Sequence, residues 1–234
     1  MFFAGIDPLF MLVSLAGMAL SLAASFQVKA TFRKYSQVRG SRGLTGAEAA
    51  RQLLRAKGIG DVRVEQVDGF LADHYDPGAK TLRLSPQVYH ERSLAALGVA
   101  AHEAGHAIQH ATGYAPLKFR SLVVKPAALG SNLGVMIVTL GIFTQMSGLV
   151  MVGVGLFSAF VLFTLVTLPV EFNASSRAVA VLQQHGIITA REVGPTKKVL
   201  NAAAMTYVAA AIAAIMQLLY FLWRAGLIGN AREE

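Results

Sequence analysis

The chain contains no cysteine in its 234 residues, which excludes disulfides and thiolate metal sites and fits a cytosolic working face. Charge is also scarce: Asp, Glu, Lys and Arg make up 15% of the chain, against roughly 25% in ordinary soluble proteins. With 54% hydrophobic residues, that shortage excludes an ordinary soluble domain and indicates a membrane protein. Acid is scarcer than base, 13 residues against 21, for a formal charge of +8.

The missing charges define the spans. None occurs between Asp7 and Lys29, none from Pro126 to Val170, and none between Lys198 and Arg224. A crossing needs about 20 apolar residues, so the outer two runs each predict one helix. The middle run is too long for one and predicts a helical hairpin, with its tip at TQMSG, Thr144 to Gly148. Lys29 to Lys125 holds 15 of the 21 basic residues and Glu171 to Lys198 another 4, on the same side if four spans are present. Basic flanks face the cytosol, which predicts an inner (cytoplasmic) cell membrane with both termini outside. The N-terminal MFFAGIDP lacks the positive start of a cleaved signal peptide, so the first span reads as an uncleaved anchor. The net charge then belongs to the membrane flanks, and with no nucleic-acid motif beside it, no nucleic-acid partner is expected.

These signals divide the chain into an anchor (1–28), a cytosolic domain (29–125), a transmembrane hairpin (126–170), a cytosolic helical segment (171–198) and a last transmembrane helix with a short tail (199–234). Thr45 and Glu48 have capping-box spacing ahead of a short amphipathic helix that ends at Gly58. DVRVEQV alternates with period two, and FLADHYDPGAKTLRLS holds two strand-like runs around Asp-Pro-Gly. Ser93 caps a helix reaching about Thr112, with Gly113 as its stop. A further helix continues out of the third span past Pro169 to Gly186, and Pro195 suits the first turn of the last helix. The fold class expected is mainly α: a four-span helical membrane protein with a small α+β domain at the cytosolic membrane face.

LGVAAHEAGHAIQH, Leu97 to His110, holds three of the six histidines. His102, Glu103 and His106 form HExxH. Helical positions i and i+4 put both imidazoles within reach of one tetrahedral ion, while Glu103 is placed to take a proton from a metal-activated water. At this composition the motif arises by chance in roughly one chain in two hundred. His110 lies about 12 Å along the axis from His102, too far to share the ion. The longer HExxHxxGxxH motif is absent, because Gln109 and Thr112 stand where it needs Gly and His.

The third ligand must come from another element, and Glu171, at the end of the third span, is the best placed. Glu91 is too close in sequence, and Glu48 and Glu192 suit helix N-termini. Asn173 and Ser175 are candidates to orient a ligand, against an equal case for plain helix surface. His74, Tyr75 and Asp76 read first as turn residues and second as an accessory or oxyanion site; His185 and Tyr207 are remoter oxyanion candidates.

KYSQVRGSRGLTGAEAAR, GFLADHYDPGAKTLRLSPQVYHERS, GVAAHEAGHAIQHATGYAPLKFRS, LVTLPVEFNASSRA and KKVLNAAAMTYVAAA resemble the sequence blocks of the YugP-type membrane zinc metallopeptidases of bacteria, almost from end to end. The resemblance implies a multi-pass protein binding one zinc per chain, with His102 and His106 as ligands and Glu103 as catalytic acid/base. More distantly the chain resembles membrane peptidases in which ExxxD supplies the third ligand and an aspartate that supports a histidine; EFNAS keeps Glu171 and has Ser175 at the aspartate position.

The small α+β cytosolic domain is thus expected to be a zincin-like metallopeptidase domain, and the expected activity is peptide-bond hydrolysis by a zinc-dependent hydrolase at the cytosolic membrane face, on a peptide or membrane-protein substrate received along the FLADHYD or TLRLS strand. The contrasting expectation is a membrane scaffold or regulatory subunit keeping a structural metal. A transporter is disfavoured by spans without charge. Small residues such as those of GVGLFSAF permit a homo-oligomer or a membrane-protein adaptor.

Overall fold

Thr45 and Glu48 form the capping box that their spacing predicts: the Thr45 hydroxyl accepts from the Glu48 amide, and the Glu48 carboxylate accepts from the Thr45 amide. In the computed structural model, which describes residues 7–228, the helix thus started runs from Gly46 to Ala56, with Gly58 left-handed at φ 68°. In chain order the elements are α1 (Pro8–Ser36), α2 (Gly46–Ala56), β1 (Arg63–Gln66), β2 (His74–Asp76), β3 (Thr81–Leu84), α3 (Pro86–Tyr89) and α4 (Leu94–Ala111). They continue as α5 (Ala115–Leu129), a π-helical turn (Gly130–Gly134), α6 (Val135–Phe143), α7 (Ser147–Gln184) and α8 (Ala190–Arg224). The protein is mainly helical, and among the described residues four helices are long and apolar enough to cross a membrane: α1, Ala115–Phe143, α7 and α8.

The second apolar helix begins at Ala115, ahead of the charge-free run, because Pro116 suits a first turn and Leu117 to Lys125 continues it. One helix start differs from expectation. The last helix begins at Ala190, leaving Pro195 inside it. Thr189 and Glu192 form an earlier cap, the Thr189 amide and hydroxyl both donating to the Glu192 carboxylate at 2.7 and 2.8 Å.

The chain divides into two compact units. The first comprises the described residues up to Ala24, Phe119–Leu168 and those from Thr206 onward. Here α6 turns into α7 through Gln145 in the left-handed region, at the predicted tip. The arms of this hairpin meet backbone to backbone: a Cβ on Gly130 would lie 2.1 Å from the Leu156 carbonyl oxygen. Val138, Val150, Val154, Phe157 and Phe221 form the core.

The second unit, Ser25–Lys118 and Pro169–Met205, is built round α4. This helix is rich in alanine, so neighbours can approach on nearly every side, and most of its residues are buried. Leu53 and Leu54 of α2, Leu82 and Leu84 of β3, Val88 of α3, Leu182 of α7 and Leu200 of α8 share its core. The sheet has the order β1-β3-β2, with β1 parallel and β2 antiparallel to β3. Asp76 holds the β2–β3 turn by accepting from the amides of Gly78 and Ala79 at 2.9 and 3.0 Å.

Candidate metal centre

The site begins with how α4 is held. Ser93 caps it by accepting from the Ala96 amide, and Gly113, at φ 65°, follows its C-terminal cap. His102 and His106 therefore stand one turn apart, about 6 Å along the axis. Gly105 lies between them and makes room for α7: a Cβ there would lie 2.7 Å from the Ala174 carbonyl oxygen. This backbone approach brings Glu171 and Ser175 of α7 up to the two imidazoles.

Glu171 is 1% exposed. Its Oε2 lies 3.1 Å from His102 Nε2 and 3.5 Å from His106 Nε2. The two rings are nearly perpendicular, at 83°, with centroids 4.7 Å apart. Donor atoms of all three residues lie within 4.8 Å of one another. In a tetrahedral zinc site with bonds near 2.05 Å, neighbouring ligand atoms are about 3.3 Å apart. The two nitrogen–oxygen distances straddle that value, and two imidazoles with one carboxylate are the donor set of catalytic zinc sites that keep a fourth position open. The three residues fit the ion.

The far side of each imidazole is also engaged. His102 Nδ1 lies 3.0 Å from the Ser175 hydroxyl. His106 Nδ1 lies 3.0 Å from Gln109 Oε1. The buried Gln109 amide nitrogen donates to the Val170 carbonyl at 2.9 Å and to Asn173 Oδ1 at 3.0 Å. With its NH2 so directed, Gln109 presents an acceptor to His106, which donates to it from Nδ1 and so turns Nε2 toward Glu171. Asn173 Oδ1 accepts in addition from Arg177 Nε at 2.7 Å, and the Arg177 guanidinium lies over the Tyr114 ring. Burial works against a charge on His106, but its hydrogen bond to Glu171 and the carboxylates of Glu103 and Glu171 outweigh that, and its pKa is raised.

Glu103 is buried on the same helix at 8% exposure, and no side-chain hydrogen bond within the described residues engages it. Of the remaining sequence candidates, Asn173 and Ser175 join the cluster. His110 is exposed, with Nδ1 2.8 Å from the Tyr75 hydroxyl. Asp76 pairs with Arg83 at 2.9 Å and His74 bonds the Ala72 carbonyl, as turn and strand residues do. His185 follows the end of α7, about 20 Å beyond Glu171 along that helix, and Tyr207 belongs to the first unit. Gln109 had been read only as a departure from a longer motif. Its sequence signal is a lone amide on an otherwise apolar helix face, three residues after a histidine. Asp73 was missed too: it accepts from the Ser85 amide at 2.8 Å and from the Ser85 hydroxyl. Burial pushes its carboxyl up against those bonds, with the charge of Glu103 adding to the shift.

The family described as "Putative neutral zinc metallopeptidase" matches residues 10–226. The chain belongs to this family. A relative, "Putative membrane protease YugP" of Bacillus subtilis (strain 168), is 44% identical over 226 residues, covering 97% of this chain and 99% of its own length. No solved structure matches significantly. Family membership and four apolar helices together make this a multi-pass membrane protein of the zinc metallopeptidase family.

Proposed function

We propose that this chain is an active zinc endopeptidase working at the cytosolic face of its membrane, with His102, His106 and Glu171 as the ligands of one zinc and Glu103 as the general base. The observation that carries the reading is the convergence of two Nε2 atoms on one buried carboxylate oxygen, at 3.1 and 3.5 Å, beside an unengaged glutamate. A zinc held there supplies Lewis acidity for the scissile carbonyl and lowers the pKa of water toward 7. Glu103 takes the water proton and returns it to the leaving amine. Gln109, an acceptor at Nδ1, holds His106 in the tautomer that frees Nε2 for the ion, and the Ser175 hydroxyl orients His102 from the far side of its ring. The cytosolic placement rests on the lysine and arginine excess in 29–125 and 171–198.

An extended peptide or membrane-protein segment would pair with a free strand edge. The expectation that TLRLS could serve is corrected: β3 is the central strand, bonded to β1 and β2 on its two sides. The edge at His74–Asp76 remains, on the strand that also packs against α4.

Zinc analysis and cleavage of co-expressed membrane proteins test the reading. Wild type is expected to carry one zinc and to cleave. Glu103→Gln should keep the zinc and lose cleavage by about 10²–10⁴-fold, and Glu171→Ala should lose both. Equal cleavage by wild type and Glu103→Gln would favour the scaffold with a structural metal; full zinc in Glu171→Ala would move the third ligand elsewhere.

A further inference from the structure

A second concave site lies in the unit that holds the metal cluster and shares no residue with it. It is a groove of about 330 Å³ between α1 and α8. On α1 it is lined by Gln27, Thr31, Lys34 and Tyr35, which recur at helical spacing on one face. On α8 it is lined by Lys198, Asn201, Ala202 and Met205, again one face. Gln27 to Lys34 and Lys198 to Met205 each span seven residues, about 10 Å. Each lining passes from a cationic turn into the charge-free run of its helix.

The chemistry of the groove selects an anion. Two exposed lysines from different helices converge on it, and none of the eight lining residues is acidic. The Lys34 ammonium lies 5.6 Å from the Tyr35 ring centroid, which keeps it at the groove. The hydroxyls of Thr31 and Tyr35 and the amides of Gln27 and Asn201 can donate to phosphate oxygens. The apolar end selects further. Met205, which lines that end, is 43% exposed, a surface a small inorganic anion would not use but an acyl chain would.

We propose that this groove binds the phosphate headgroup of an anionic phospholipid, with the lysines on the phosphate and the acyl chains leaving past Met205. Two lysines near an anionic surface favour such a lipid over a zwitterionic one by roughly tenfold to thirtyfold. The site stands whether or not the chain is a peptidase, because no metal ligand takes part.

The test uses the full-length protein in an uncharged detergent, with bound lipid counted by native mass spectrometry during titration with phosphatidylglycerol or phosphatidylcholine. Wild type is expected to hold one phosphatidylglycerol at least tenfold more tightly than phosphatidylcholine. Lys34→Gln combined with Lys198→Gln should lower that affinity about tenfold. Lys29→Gln combined with Arg33→Gln removes the same charge from α1 outside the groove and should leave it unchanged. Inorganic phosphate at millimolar concentration should not displace the lipid. Equal binding of the two lipids, an equal loss in the control pair, or displacement by inorganic phosphate would each overturn the proposal. If the double groove variant does not fold, Lys198→Gln alone decides: a drop of about threefold supports the site and no change refutes it.

Discussion

Gly130 and Gly105 perform the same packing task in the two units, with different results. Each lets one helix touch the backbone of another, Gly130 against Leu156 and Gly105 against Ala174. Around Gly130 the polar side chains turn back on their own helices: Ser131 bonds the Ala128 carbonyl, Thr139 the Val135 carbonyl and Ser158 the Val154 carbonyl. Around Gly105 they reach across, His102 to Ser175 and Gln109 to Asn173. Close approach alone yields packing. It yields a candidate reactive centre only where polar groups on both facing helices reach across the contact.

Gly105→Val should separate the two cases most sharply. It forces α7 away from α4, and bound zinc should fall from one equivalent toward none by metal analysis, along with about 1–3 kcal/mol of stability from overpacking. Next in size, Gln109→Ala and Ser175→Ala each remove one support behind an imidazole and should weaken zinc affinity about 10–100-fold in a chelator competition, with the helical circular dichroism spectrum retained. Gly130→Val should lower thermal stability by a similar 1–3 kcal/mol and leave zinc stoichiometry at the wild-type value. If it also released zinc, the contrast between the two glycines would be lost. The smallest effect belongs to Asp73, whose folded pKa is raised, so its favourable contribution is complete at low pH and declines as pH rises through that folded value. Asp73→Asn keeps an acceptor for Ser85 and should gain stability relative to wild type as pH rises above the ordinary aspartate range, by paired thermal melts.

Local signals were legible where neighbours in sequence satisfy each other. The capping box at Thr45, the Ser93 cap, the stops at Gly58, Gly113 and Gly186 and the tip near Gln145 all depend on contacts within a few residues. HExxH was legible for the same reason, since one helical turn relates its histidines. Glu171 could be anticipated because a hairpin must return to the side it left. The β1–β3 pairing is parallel and joins segments with β2 between them, so nothing in the alternation of DVRVEQV announces it. Gln109 was opaque because its purpose depends on Asn173 and Val170, more than 60 residues away, reached only through the contact at Gly105. Pro195 misleads as a helix start because a stronger signal lies upstream, at Thr189 with Glu192.

Gln109 gives and takes at once: its oxygen receives the His106 proton while its nitrogen serves Val170 and Asn173. Glutamate has the same shape there but two oxygens, so it could greet the imidazole and would face a carbonyl and an amide oxygen with nothing to offer either. Leucine would fill the volume and answer neither side. Position 109 therefore reads from a very short alphabet, one set by hydrogen-bond polarity, where size and hydrophobicity would have allowed many letters.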